Sequence, residues 1–275
     1  MSTKRELAFR YDLFITPDWR DRFDSLVNQK IALPQEGRIL EINCGTGAHS
    51  IEIAIRMKEG KGEVVAIDPS RERIELAEAK AQAKKVKNLR FECCDWRQMP
   101  FSEGEFDAVI GDASMESTRD IAEMLDQMVK VTRGGGLVVL KLTTRGSFDE
   151  FFSIYWEALF DCGLADQLWS ELEALIRERM TVSEAEQLAG QAGLESVESF
   201  CKKEEFLYET GRAFLESPLI KDSFLEGWLS IVPKSDRQRV RRQIASVIER
   251  ERHGAPFDLS IKATLIAGTK RQQAT

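Results

Sequence analysis

Between Arg38 and Leu142 the chain alternates, four times over, between short runs of strand character and longer stretches that are apolar at helical spacing. The strand runs are Arg38 to Ile42, Glu63 to Ile67, Leu89 to Glu92, Phe106 to Ile110 and Leu137 to Leu142. Between them lie a helix from Ala48 to Met57 with Ile51, Ala54 and Ile55 on one face, and one capped by Ser70 with Ile74, Ala77 and Ala81 aligned. A third carries the stripe Ile121, Met124, Leu125, Met128 and Val129, and Gly134 to Gly136 closes it. Such connections are too long for hairpins, and strands apolar on both faces must be covered on both faces. The pattern predicts a parallel sheet between two layers of helices, an α/β sandwich.

The flanks divide the chain further. Residues 1–36 are expected to form an N-terminal helical cover of two short helices, because Pro17 and Pro34 break any single long one. The α/β core occupies 37–142. From Thr143 the rhythm changes: Phe148, Phe151, Phe152, Tyr155, Trp156 and Leu159 give an aromatic helical face, and 143–180 reads as a helical insertion. The core continues over 181–206, with a capping box at Ser183 to Glu186 and a sixth strand from Glu195 to Cys201. A second helical insertion covers 207–255. It contains Trp228 and a helix opened by a capping box at Ser235 to Gln238, which buries Val240, Ile244, Val247 and Ile248 and carries His253. Residues 256–275 are the last core strand followed by a polar tail.

Composition excludes several classes. A net charge of −7 and a pI near 5.2 argue against a surface that gathers phosphate backbones, so no nucleic-acid partner is expected. Met1 to Arg10 has no apolar signal core, and no apolar run approaches the ~20 residues of a membrane span, so the expected location is cytoplasmic. The five cysteines lack C-x-x-C spacing, which argues against a disulfide scaffold or a structural metal, and no metal is expected.

Four carboxylates stand at or just beyond successive strand ends: Glu41, Asp68, Asp95 and Asp112. In an open α/β sheet these ends share one rim, so the four converge on one crevice. The turn Asn43 to Gly47 lets a ligand approach the backbone through Gly45 and Gly47. Asp68 is placed to accept from a ribose diol. Asp95 can accept from an exocyclic amine while Trp96 lies against a purine. A nucleoside-bearing ligand follows, and a rim this acidic suits one that also carries positive charge.

Taken together, these segments resemble the class I S-adenosylmethionine-dependent methyltransferases, in particular the small-molecule group similar to the ubiquinone and menaquinone methyltransferases. Leu40 to Gly47 is similar to that family's first motif. Val65 to Ser70 resembles its acidic loop after the second strand, and Cys94 to Trp96 with Met99 to Phe101 its adenine loop. Phe106 to Ser114 and Arg133 to Leu137 resemble its fourth-strand and fifth-strand motifs. The resemblance implies a Rossmann-like, doubly wound seven-stranded sheet with an antiparallel last strand, and S-adenosylmethionine as cofactor. It also implies a cofactor set of Glu41, Asn43, Gly45, Gly47, Asp68, Pro69, Asp95, Trp96 and Asp112. Asn43 stands where the family usually has glycine; asparagine is the other residue that tolerates a left-handed backbone.

In that reading the activity is in-line methyl transfer to a small apolar or aromatic metabolite by a monomer or homodimer. The insertions would act as a lid, with Phe148, Phe152, Trp156 and Trp228 facing the acceptor or packing the lid itself. His49, Asp112 and His253 are the candidate bases, and no catalytic residue is singled out. Two alternatives stay open: a Rossmann oxidoreductase using NAD, whose G-x-G-x-x-G pattern fails at Asn43 and Ser50, and a non-catalytic cofactor-binding relative.

Overall fold

The computed structural model describes residues 3–272. In chain order the elements are α1 (Lys4–Arg10), a π-helix (Tyr11–Arg20), α2 (Asp21–Lys30), β1 (Gly37–Ile42), α3 (Ala48–Arg56), β2 (Gly62–Asp68), α4 (Arg71–Ala83), β3 (Leu89–Cys93), β4 (Phe106–Asp112), α5 (Thr118–Val131) and β5 (Thr132–Thr143). There follow α6 (Asp149–Asp161), α7 (Ala165–Arg177), α8 (Val182–Gln191), β6 (Leu194–Tyr208), α9 (Gly211–Glu216), α10 (Leu225–Trp228), α11 (Arg237–Glu251) and β7 (Phe257–Lys270). The outermost ends of the N-terminal cover and of the polar tail, residues 1–2 and 273–275, lie outside the described residues.

The seven strands form one mixed sheet in the order β3-β2-β1-β4-β5-β7-β6, with β7 antiparallel. The parallel register sets Ile42 beside Ile67 and Gly111, which brings the ends of β1, β2 and β4 level. The central strands are as apolar as the sequence requires: Ile39, Leu40, Ile42, Val64 to Ile67, Val109 and Ile110 are all fully buried. Each of the Val, Leu and Ile side chains among them contributes ~1.5–3 kcal/mol of burial, which locks the register and with it the position of every strand-end acid.

The chain folds as two compact units. One comprises the described residues up to Leu142, Thr181–Lys202 and the described residues from Ala263; the other is Thr143–Met180 with Lys203–Lys262. The two insertions therefore belong to a single body, which the sequence had separated. In that second unit Phe151 stacks on Trp228 with centroids 4.1 Å apart, and Phe148 and Phe152 lie 5.2 and 6.2 Å from the same indole. The Tyr155 hydroxyl donates to the Trp228 carbonyl at 2.8 Å. α11 buries Val240, Ile244, Val247 and Ile248 as its stripe predicts. α9 reaches it closely because Gly211 lacks a Cβ, which would lie 2.6 Å from the Ala245 carbonyl oxygen.

Four local expectations are corrected. Pro17 does not break the N-terminal segment: helix runs from Lys4 to Lys30, and the residues around Pro17 take the wider π register, where the missing N–H is absorbed without ending the helix. Gly134 to Gly136 do not close α5 but lie inside β5, with Gly135 at φ +74°. The box before α8 is Thr181 with Glu184, not Ser183 with Glu186. The expected box before α11 is absent, since Asp236 is the N-cap, without a side-chain cap bond, and Ser235 donates to Asp236 instead. Both misplaced boxes come from a serine one or two residues out of register with the first helical turn.

Candidate functional site

The turn after β1 has the backbone its residues permit. Asn43, Gly45 and Gly47 lie at φ +57°, +60° and +74°. A Cβ on Gly47 would come within 2.6 Å of the Phe91 ring, so that glycine is required by both conformation and space. Asn43 holds its left-handed backbone with its amide, which donates to the Asp112 carbonyl at 2.9 Å and to Glu116 at 3.0 Å. These two bonds tie the end of β1 to the end of β4.

Asp68 closes the other side. One of its oxygens accepts from the Gly45 N–H and the other from the Ser70 N–H, each at 2.9 Å, and Arg73 stands 3.7 Å away. Burial pushes the Asp68 carboxyl up, while Arg73 and the two N–H groups pull it back. Pro69 follows Asp68 directly and leads to Ser70, whose hydroxyl caps α4 by accepting from the Arg73 N–H. The turn and the β2 acid are one hydrogen-bonded unit, which the sequence could only suggest by spacing.

Two members of the expected cofactor set are placed differently. Glu41 is fully buried beneath the turn, its oxygens engaged by His49 Nδ1 at 2.8 Å, Lys141 Nζ at 3.2 Å and the Ser50 hydroxyl. It fixes the start of α3 from inside and is not exposed to a ligand. Trp96 is also buried, with the Arg97 guanidinium 4.0 Å over its ring, so the indole packs the loop. Asp95 is half-buried beside it and caps the following 3-10 turn by accepting from the Arg97 N–H.

The candidate bases separate likewise. His49 is enclosed with Glu41, Asp24 and Lys141, and its Nε2 is buried with no hydrogen-bond partner among the described residues. Asp24, Glu41 and His49 have the mutual spacing of metal ligands, yet Lys141 Nζ bonds both carboxylates and supplies the positive charge there. Burial would lower the Lys141 pKa, but Asp24 and Glu41 raise it to about 12. His253 does not lie on α11 as expected; it is exposed in the turn beyond it, at φ +46°. Asp112 is buried, one oxygen accepting from the Ser114 N–H at 2.9 Å and hydroxyl at 2.6 Å, the other 3.2 Å from Arg20.

Sequence reasoning missed Arg20 as a polar part of this site and could read Tyr11, like Trp19, only as an aromatic that either covers a bound cofactor or packs the core. Arg20 donates to the Asn43 carbonyl at 2.7 Å and the Tyr11 hydroxyl at 3.2 Å. The only sequence signal was Tyr11 at helical spacing with the buried aromatics; Arg20 sits among other arginines and is indistinguishable from them. In the second unit Phe148, Phe152 and Trp228 are buried in the aromatic stack, while Trp156 is 41% exposed. Trp156 joins Phe152, Trp169, Leu172 and Ile176 around an apolar groove of about 570 Å³ between α6 and α7.

The chain is similar to several known proteins. A family model described as a methyltransferase domain matches residues 34–207. The ubiquinone/menaquinone biosynthesis C-methyltransferase UbiE of Geobacter sp. (strain M21) is 32% identical over 147 residues, 50% of this chain and 60% of that protein's length. A demethylmenaquinone methyltransferase of Bacillus licheniformis is 26% identical over 190 residues, 66% of this chain and 78% of the other. Among solved structures, YcgJ of Bacillus subtilis aligns with a TM-score of 0.60 at 18% identity, over 92% of this chain and 100% of that one. Phosphoethanolamine N-methyltransferase 2 of Haemonchus contortus, in complex with S-adenosyl-L-methionine, aligns at 0.56 and 14% identity, over 99% and 61%. At these identities the structural likeness is one of fold. Nothing in these matches supports the oxidoreductase alternative.

Proposed function

Because the chain belongs to the methyltransferase-domain family, we propose that it binds S-adenosylmethionine at the strand-end turn and transfers the methyl group in line to a small apolar or aromatic acceptor. The observation that carries this reading is the bond from the Gly45 N–H to Asp68, which couples the turn to the acid at the end of β2. In the proposal Asn43, Gly45 and Gly47 hold the methionine portion, Asp68 accepts from the ribose hydroxyls and Asp95 from the adenine amine. Pro69 directs the chain past the ribose.

The cofactor supplies an electrophilic sulfonium methyl, so the protein's task is alignment and exclusion of water. No buried base is required for an acceptor that forms a stabilised carbanion. The name of the Geobacter relative, a C-methyltransferase of quinone biosynthesis, supports an apolar ring-bearing acceptor. Phe152 and Trp156, which line the groove, are proposed to govern which acceptor is used, with Phe148 and Trp228 as the packed interior that holds them. The same proposal carries a cytoplasmic location and a monomeric or homodimeric state; among the described residues no helix is long and apolar enough to cross a membrane.

The test is incubation of the protein with methyl-labelled S-adenosylmethionine and a metabolite extract, followed by identification of the labelled species. Label in an apolar small molecule is the expected result. Cofactor binding with no label in any species would identify a non-catalytic relative instead.

A further inference from the structure

The walls of the groove between α6 and α7 are Phe152, Trp156, Trp169, Leu172 and Ile176, and its volume of about 570 Å³ is that of a small-molecule site. Both of its indoles reach water: Trp156 is 41% and Trp169 53% exposed. Trp156 stacks on Phe160 with one face, centroids 5.7 Å apart and planes at 18°, so its other face is available. Trp169 stacks on no ring among the described residues.

A single carboxylate sets the polarity of the groove. Asp149, the first residue of α6, lines it, and its side chain makes no hydrogen bond or ion pair among the described residues. Ser153, the other polar lining residue, donates to the Asp149 backbone carbonyl at 3.0 Å. Among the described residues no Lys, Arg or His lines the groove. Its two helices have the same sign: α6 carries four acidic residues and no basic one, α7 three acidic and one basic. Glu157 and Asp161 are met by Arg250 and Glu173 by Arg177, whereas Asp149 is left open.

The face of an indole attracts positive charge through its quadrupole, and a carboxylate attracts the same ligand. A neutral hydrophobe would cover the rings but strip water from Asp149 without replacing it, and an anion would be repelled. A cation with an apolar body satisfies rings and carboxylate together.

We propose that the groove between α6 and α7 binds an organic cation, an ammonium with an apolar or ring-bearing body, whose charge is received by the indoles of Trp156 and Trp169 and by Asp149. The inference rests on the reading above that this groove governs acceptor use, and it adds a positive charge to that acceptor.

The test is calorimetry and tryptophan fluorescence with two ligands of the same shape, (3-hydroxyphenyl)trimethylammonium and its neutral isostere 3-tert-butylphenol. Wild type should bind the ammonium tighter by about tenfold or more, the scale of several cation–π and charge contacts acting together. Trp169→Leu keeps the wall apolar and removes a ring face, and Asp149→Asn removes the charge. Each should cut the preference to about threefold or less while the phenol binds within about twofold of its wild-type affinity. Both positions are exposed, so both variants should fold. Equal affinity of wild type for the two ligands would overturn the proposal and leave an uncharged apolar acceptor standing. Binding of neither ligand would overturn it together with the acceptor role of the groove. A preference undiminished in both variants would also overturn it, because the charge would then be recognised elsewhere.

Discussion

Asn43 does two things at one position. Its backbone adopts φ +57°, and its amide joins β1 to β4 through the Asp112 carbonyl and Glu116. Asn43→Ala should therefore cost about 1–3 kcal/mol, since it loses both the tolerated conformation and a buried bond. Asn43→Gly keeps the conformation and should cost about 1 kcal/mol less, and urea denaturation would show the difference. Lys141 is the second decisive residue, because its ammonium is the counter-ion of Asp24 and Glu41 in a fully buried cluster. Lys141→Met should destabilise by about 3–5 kcal/mol at neutral pH. The pH dependence has a definite sign. Lys141 is raised from 10.5 to about 12, so its contribution is complete below 10.5 and lost as pH rises toward 12. Asp24 and Glu41 suffer burial, which would raise them, but Lys141 and His49 hold both below their ordinary values of 3.8 and 4.5. Their contribution is therefore present above those values and lost as pH falls below them. In Lys141→Met the carboxylates lose that support and protonate more readily, so the gap to wild type should narrow between pH 7 and about pH 4. A gap that widens on acidification would contradict the assignment.

At the scale of elements, the five alternating strands were legible because burial on both faces leaves a continuous apolar signal, and Val64 to Ile67 shows it plainly. Asn43 as a left-handed residue was legible from its side chain. Burial of Glu41 and Trp96 was not, because whether a polar or amphipathic side chain turns inward depends on partners distant in sequence, here Lys141 for Glu41. The π register through Pro17 was equally invisible: a proline usually ends a helix, and only the widened turn lets the chain continue. The caps offer a direct check. Thr181 accepts from the Glu184 N–H while Glu184 accepts from the Thr181 N–H. Thr181→Ala should lower stability by ~1 kcal/mol, whereas Ser235→Ala, which removes no cap, should stay within ~0.5 kcal/mol. Equal losses in thermal denaturation would restore the serine as a cap.

At the scale of the whole molecule, the two insertions read separately in the sequence fold as one aromatic unit. Phe148, Phe151, Phe152 and Trp228 form its interior, and Trp156 faces its apolar groove. Replacing Phe152 and Trp156 by Ala should change acceptor use by about tenfold or more while cofactor affinity stays within about twofold. Parallel losses in both would remove the acceptor role from this unit. The central claim concerns the other unit, where Asp68 and the glycine turn are joined by the Gly45 N–H. The most direct measurement is calorimetric titration of wild type and Asp68→Ala with S-adenosylmethionine, with circular dichroism to confirm that both are folded. We expect one site per chain in wild type and a loss of more than about tenfold in the variant, as removal of a charged hydrogen-bond partner implies. Unchanged affinity in a folded Asp68→Ala protein would contradict the placement of the cofactor at this turn.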